Sequence, residues 1–332
     1  MSIRIISFTD RGDALAGRLA EDLGGEAMRC GKLLPLEDWT ARSFAEAEAL
    51  IFVGAAGIAV RAVAPHVWSK TSDPAVVVID ESGRFAIPLL SGHLGGANDL
   101  ARQIADLTGA TAVITTATDL RGAFAVDEWA RRQGCAVRNP EQIKRVSSAI
   151  LAGKTVRVRS DFFIAGEPPA GVQIAEDEDY EVCITTKTTD QDTLILVPKI
   201  SVLGVGCKAG TPQTAIERSF RDVCAKAGIC EESVCLVSTI DQKAEEPGLL
   251  ACCKAHGLSL ITYSAEELQA IPGDFSSSEF VRSVTGTDNV CERSAVKGSG
   301  GSLILPKTAK EGVTMALATT PFALDWRWQD EK

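Results

Sequence analysis

Six residues, Ser91-Gly92-His93-Leu94-Gly95-Gly96, set an imidazole among glycines in a chain with only 3 histidines. Imidazole titrates near neutral pH, so a histidine in a ligand-accessible turn is a candidate general acid or base. Glycine permits a sharp turn and lets a ligand approach with no Cβ in the way. A lone histidine often serves packing alone, and His66 and His256, with no comparable setting, read that way. An apolar core, by contrast, has no use for glycines around a ring. Downstream, Thr115-Thr116-Ala117-Thr118-Asp119 gathers hydroxyls and a carboxylate. They either orient a polar ligand or water, or cap the helix that follows, where Asp127 and Glu128 also lie.

Two further glycine segments carry cations. Arg61 follows Gly54-Ala55-Ala56-Gly57 about one helical turn on, where it can reach a carboxylate above a sheet edge; the glycines themselves suit close packing of helix on sheet. Gly204-x-Gly206-Cys207-Lys208-x-Gly210 reads as a strand end opening into a helix, with Thr211 as cap and Pro212 in the first helical position. Its N–H groups and Lys208 form either an anion seat or a plain tight turn. The glycine spacing is not that of a dinucleotide fingerprint, and Gly-Lys-Ser/Thr of a P-loop is missing.

The elements that position these groups alternate between strand and helix. Ile3–Phe8, Ala49–Val53, Ala75–Ile79 and Phe85–Leu90 read as strands, and Asp13–Leu23 and a segment through Val63 as helices. After the histidine turn, Leu94, Ala97, Leu100, Ala101, Ile104 and Leu107 recur at helical spacing, leaving Asn98, Asp99, Arg102 and Asp106 for solvent. The alternation predicts a mainly parallel, helix-covered sheet, with the histidine turn at the carboxyl end of a strand, where such sheets bind ligands. From Cys135 the pattern turns β-rich, and near Pro198-Lys199 an α/β pattern restarts. The reading is therefore α/β: an amino-terminal α/β domain over 1–134, a small β-rich middle domain over 135–198, and a carboxyl-terminal α/β domain over 199–332.

A length of 332 residues exceeds what one core usually serves, and 45% hydrophobic residues exclude a disordered chain. No apolar run suits a membrane span, and Met1–Phe8 lacks the form of a signal peptide, so a cytoplasmic protein is expected. The 10 cysteines are then expected to be reduced and mostly buried. No Cys-x-x-Cys pair occurs, and adjacent Cys252 and Cys253 cannot face one ion, so no metal site is expected. The net charge of -10 argues against a nucleic-acid partner, and any anionic ligand would need local cations. The oligomeric state stays open, a homodimer among the options.

The chain resembles the CbiG family of the oxygen-independent cobalamin pathway. The matching strings are Gly54–Arg61, Asp73–Asp80, Ile87–Asn98, Thr115–Asp119 and Phe124–Trp129, then Leu203–Lys208, Ser238–Lys243 and Gly312–Ala316. The most specific is Ser-Gly-His-Leu-Gly-Gly-Ala-Asn, and one departure is Gln242, where the family usually has Leu. The resemblance implies a hydrolase acting on cobalt-precorrin-5A, a cobalt-bearing tetrapyrrole with a δ-lactone on its ring-A acetate. Water opens the lactone, and a two-carbon fragment leaves as acetaldehyde. Cobalt belongs to the substrate, so no cofactor is implied.

Such a reaction needs a proton-transfer group, donors for an oxyanion and cations for peripheral carboxylates. His93 fits the first role, with Asp119 to orient it or a water. The N–H groups of Gly95 and Gly96, or the hydroxyls of Thr115, Thr116 and Thr118, fit the second. Arg61, Lys70 and Lys208 fit the third. Ser91, Asn98, Gly54, Gly57, Gly204 and Gly206 complete an expected binding surface in one shared cleft. Two rivals are a non-catalytic corrinoid carrier with His93 as cobalt ligand, and an unrelated enzyme holding a phosphorylated metabolite at Gly204–Gly210.

Overall fold

The structure, a computed structural model, describes residues 2–31, 34–69, 72–189 and 192–327, the side chains of Asp119 and Leu120 excepted. Its contacts define two compact units, residues 2–132 with 143–154, and residues 133–142 with 155–327. The fold is mixed α/β.

The first unit runs β1 (Ile3–Ser7), α1 (Asp10–Leu23), β2 (Glu26–Arg29), α2 (Leu36–Glu46), β3 (Ala49–Val53), α3 (Ala56–Val63), β4 (Ala75–Ile79), β5 (Phe85–Leu90), α4 (Ala97–Thr108), β6 (Thr111–Ala112), α5 (Ala117–Arg121) and α6 (Val126–Arg132). The strands form one sheet in the order β2-β1-β3-β4-β5-β6. Every residue of β3 and β4 is buried, as central strands covered on both faces require. Leu15, Leu19, Leu100 and Ile104 of α1 and α4 pack on Ile5, Ile51 and Val77. Trp39, Ala59 and Val63 of α2 and α3 pack with Ile6, Leu50, Phe52 and Val76.

Strands β1 to β4 are parallel, but β5 runs antiparallel to β4, and β6 runs with β5. The expectation of a mainly parallel sheet is thereby corrected for the last two strands. The cause is local. The Asp80 carboxylate accepts N–H bonds from Ser82, Arg84 and Phe85 at 2.9, 2.9 and 2.8 Å. Gly83 adopts φ 69°, so the chain reverses in a tight turn with no room for a crossover helix. Leu90, at the end of β5, therefore pairs with Val76 at the start of β4. The histidine turn sits at the sheet edge opposite the carboxyl ends of β1, β3 and β4.

Helix α4 begins at Ala97 rather than Leu94; Ala97, Leu100, Ala101 and Ile104 are buried as expected, but two positions are reversed. Leu107 is 47% exposed, whereas Asn98 is 3% exposed, its Nδ2 donating to Thr116 Oγ1 at 3.0 Å.

In the second unit, β7 (Cys135–Val137) precedes α7 (Ile143–Leu151), which belongs to the first. Next come β8 (Val156–Ser160), β9 (Ile164–Ala165), β10 (Val172–Ile174), β11 (Val182–Ile184) and β12 (Leu194–Pro198). One sheet has the order β10-β8-β11-β12-β7, parallel except for β7. The chain continues through β13 (Ser201–Cys207), α8 (Gln213–Ala227), β14 (Val234–Ile240), α9 (Pro247–Ala255), β15 (Ser259–Tyr263), α10 (Ala265–Gln269), α11 (Glu279–Thr285), α12 (Cys291–Ser299), β16 (Ser302–Lys310), β17 (Val313–Thr319) and β18 (Leu324–Asp325). A second sheet has the order β15-β14-β13-β17-β16, and β18 pairs with β9.

All 10 cysteines are free thiols. Burial pushes those of Cys135, Cys224 and Cys252 up to about 12 and those of Cys253 and Cys291 up to about 11. Among the described residues, no helix is long and apolar enough to cross a membrane, and no group of three or more His, Cys, Asp or Glu side chains is placed to hold a metal ion.

Candidate active site

The turn that carries His93 owes its glycines to the chain's own crowding. An added Cβ on Gly92 would lie 2.9 Å from Asn98 Oδ1, and one on Gly95 would meet the Ser91 side chain. Gly96 takes φ 82° beneath the Arg131 guanidinium. Ser91 itself has φ 56°, in the left-handed region, and its hydroxyl donates to the Asp73 carbonyl at 2.9 Å. The Gly96 N–H is spent on the His93 carbonyl at 3.0 Å. Among the described residues no acceptor takes the N–H of Leu94 or Gly95.

His93 Nδ1 lies 3.1 Å from Asp127 Oδ1, in the first turn of α6, with the two side chains 11% and 10% exposed. An ionised carboxylate only accepts, so Nδ1 carries the hydrogen and Nε2 is the basic nitrogen. Thr118 Oγ1, in α5, stands 3.4 Å from Nε2. Glu128 Oε2 is 3.8 Å from Nε2, and its other oxygen lies 3.5 Å from Arg132 Nε and 3.7 Å from Arg102 Nη1. Three arginines converge beside the turn: Arg102 and Arg132 bind Asp99 Oδ1 at 2.9 and 2.7 Å, and Arg131 pairs with Oδ2. Arg131 Nε also donates to the His93 carbonyl at 3.0 Å.

The structure thus brings His93, Asn98, Thr116 and Thr118 together, with Ser91, Gly95 and Gly96 shaping the turn. Thr115 is exposed at the same edge. Asp119 falls within α5, and its side chain lies outside those described; Lys70 also lies outside the described residues. Asp127, Glu128, Asp99 and the arginines were not singled out as site residues. The clue available was Asp127-Glu128 followed by Arg131-Arg132, one turn apart on a helix.

Gly54, Gly57 and Arg61 lie elsewhere. They follow β3 at its carboxyl end, while the histidine turn meets the amino end of β4, so the five-residue strands separate them by roughly 16 Å. The expectation that both turns line one cleft is corrected by the β5 reversal. A Cβ on Gly54 would lie 2.9 Å from the Phe8 ring, and Arg61 Nη1 donates to its own helix at the Gly57 carbonyl, 3.0 Å away.

The second unit treats its glycine motif as a strand. Gly204 and Gly206 lie inside β13; a Cβ on Gly204 would strike the Cys291 carbonyl of α12, and one on Gly206 would come within 2.6 Å of Thr314 Oγ1. Pro212, not Thr211, is the N-cap residue of α8, and the Thr211 hydroxyl donates instead to the Lys208 carbonyl at 2.7 Å. Lys208 is exposed, its stem lying over Gly312. The anion seat holds the chain's own anion. Glu246 accepts the Gly210 N–H at 2.7 Å and the Lys243 ammonium at 2.9 Å, and the Lys243 bond holds its carboxyl below the usual range.

A half-buried histidine between a carboxylate and a hydroxyl, on an α/β scaffold, is an arrangement of the kind that enzymes use for proton transfer. Comparison with known proteins names the family. The descriptions "Cobalamin synthesis G N-terminal", "Cobalamin biosynthesis central region" and "Cobalamin synthesis G C-terminus" match residues 38–119, 124–198 and 201–318. A cobalt-precorrin-5A hydrolase of Salmonella typhimurium is 33% identical over 95% of this chain and 97% of its own. One of Priestia megaterium is 31% identical over 84% of this chain and 80% of its own. The chain belongs to the CbiG family.

Proposed function

We propose that the protein hydrolyses cobalt-precorrin-5A, opening the ring-A δ-lactone and releasing acetaldehyde to give cobalt-precorrin-5B. The observation that carries this is the 33% identity with the Salmonella typhimurium hydrolase over nearly the full length of both chains. The chemistry at His93 supports it. Asp127 fixes the ring so that Nε2 can take a proton as the lactone carbonyl is attacked, and return it later. The N–H groups of Leu94 and Gly95 are donors without a protein acceptor among the described residues, available to an oxyanion. Arg102 and Arg131, with side chains 32% and 31% exposed, are cations beside the turn for the substrate's carboxylates.

When the lactone opens, the freed alkoxide becomes an aldehyde as its carbon–carbon bond to the macrocycle breaks. That bond's electrons enter the conjugated ring, so no added organic cofactor is required. Cobalt arrives with the substrate, and the reaction takes place in the cytoplasm.

The carrier reading needs His93 Nε2 open to cobalt; here Nε2 faces Thr118 and Glu128, which favours catalysis. The test is acetaldehyde release from cobalt-precorrin-5A by purified protein. His93→Ala and His93→Asn should bind the substrate yet turn over on the order of 10²–10⁴-fold more slowly. Absence of acetaldehyde with the unaltered protein overturns the assignment.

A further inference from the structure

We propose that Thr118 is the nucleophile of this reaction, forming an acyl-threonine with the ring-A acetate; the proposal rests on the hydrolase reading above. Asp127 Oδ1, His93 Nδ1, His93 Nε2 and Thr118 Oγ1 follow one another at 3.1 Å and, across the ring, 3.4 Å. This is the order carboxylate, base, nucleophile, and such contacts are often longer before substrate binds. With Nδ1–H committed to Asp127, the ring has one basic nitrogen, and the Thr118 oxygen stands 3.4 Å from it. The ring side chain is 11% exposed and Thr118 is 6% exposed, so the Thr118 hydroxyl meets Nε2 shielded from bulk water.

Among the described side chains, three other candidates are less well placed. Glu128 Oε2, at 3.8 Å, is beyond hydrogen-bond range, and its carboxylate is charge-compensated by Arg132 and Arg102. Thr116 receives the Asn98 amide, and Thr115 is exposed. The amides of Leu94 and Gly95 lie in the turn that carries the base.

The steps balance. Thr118 Oγ bonds to the lactone carbonyl carbon while His93 Nε2 takes its proton. The tetrahedral oxyanion collapses and breaks the ring C–O bond. The departing oxygen keeps that electron pair and forms acetaldehyde as its carbon–carbon bond to the macrocycle breaks, leaving those electrons on the ring. The His93 proton passes to solvent. Water, giving a proton to His93, attacks the threonine ester; His93 returns the proton to Oγ, and the ring acetate leaves as a carboxylate, its remaining proton passing to solvent.

Acetaldehyde is released at acylation, ahead of the finished product, and a rapid-quench experiment with cobalt-precorrin-5A reads this order. The expected results are an acetaldehyde burst and an intact-protein mass increased by the acyl macrocycle, mapping to Thr118. Thr118→Val, which keeps the shape but not the hydroxyl, should bind the corrinoid by absorption spectroscopy and lose roughly 10³-fold or more in rate. Thr118→Ser should stay within about tenfold. Wild-type acetaldehyde release by Thr118→Val overturns the nucleophile and leaves the hydrolase standing. Absence of both burst and adduct in the wild type also overturns it, even if Thr118→Val is slow. Should Thr118→Val fail to fold, the wild-type adduct decides. Failure of the unaltered protein to release any acetaldehyde removes the parent reading instead.

Discussion

At the scale of single residues, what stands at each nitrogen of His93 decides its chemistry. Asp127→Asn keeps the size of its side chain but replaces an obligate acceptor with a group that can also donate, so the ring can settle in the wrong tautomer. The expected result is a fold unchanged by circular dichroism, with kcat lower by on the order of 10²–10⁴-fold and little change in KM. An unchanged kcat would remove Asp127 from the relay. His93 was legible because its glycine setting is continuous in sequence. Asp127 was not, because it lies 34 positions away and meets the ring only when α6 packs beneath the turn. The glycines were legible as a tight turn, but their reason was misjudged. Asn98, Ser91 and Arg131 demand the space, and no ligand need be invoked for it.

Among the elements, the turn from β4 to β5 has the largest consequence. Burial raises the Asp80 carboxyl, but the N–H donors of Phe85, Arg84 and Ser82 outweigh it and hold the group below its ordinary value. A carboxyl with a depressed folded pKa binds fewer protons folded than unfolded across that window. Its stabilisation is therefore present above the unfolded value and lost as pH falls through the folded one. Asp80→Ala should cost about 1 kcal/mol at pH 7 by urea denaturation, and the difference from wild type should shrink below about pH 4. A difference independent of pH would contradict this account. The turn was readable as Asp-x-x-Gly between two apolar runs, and overlooking it produced the parallel reading of β5.

Helix α12 shows the opposite limit. Cys291, Glu292, Arg293 and Ser294 are all buried, so hydrophobic periodicity cannot reveal it. Glu292 accepts N–H bonds from Ser276 and Lys307 at 2.8 and 2.7 Å, and Arg293 pairs with Asp288 at 2.9 Å. Against this helix Gly204 has no room for a side chain. Gly204→Ala should lower stability by about 1–3 kcal/mol, seen as a reduced urea midpoint. An unshifted midpoint would show that α12 yields freely.

At the scale of the whole molecule, the reversed strand assigns the two edges of the first sheet different work. Arg61→Ala, at the edge away from His93, is expected to leave kcat/KM within about twofold, the range expected of a surface change. Arg131→Ala should raise KM and disturb the turn through the His93 carbonyl. Equal effects of the two would mean that the edges act as one. The packed clusters around Ile51 and around Leu203 belong to different units. The protein's thiols are distributed very unevenly between those units. Cys30 alone falls in the first, and the other nine, from Cys135 to Cys291, fall in the second. A thiol held at about 11 or 12 is ionised to only roughly one part in 10³–10⁴ at pH 8, so it alkylates slowly until its surroundings open. The number of alkyl groups added during partial denaturation therefore reports on the second unit: a jump marks its opening, and a low count marks it as still closed.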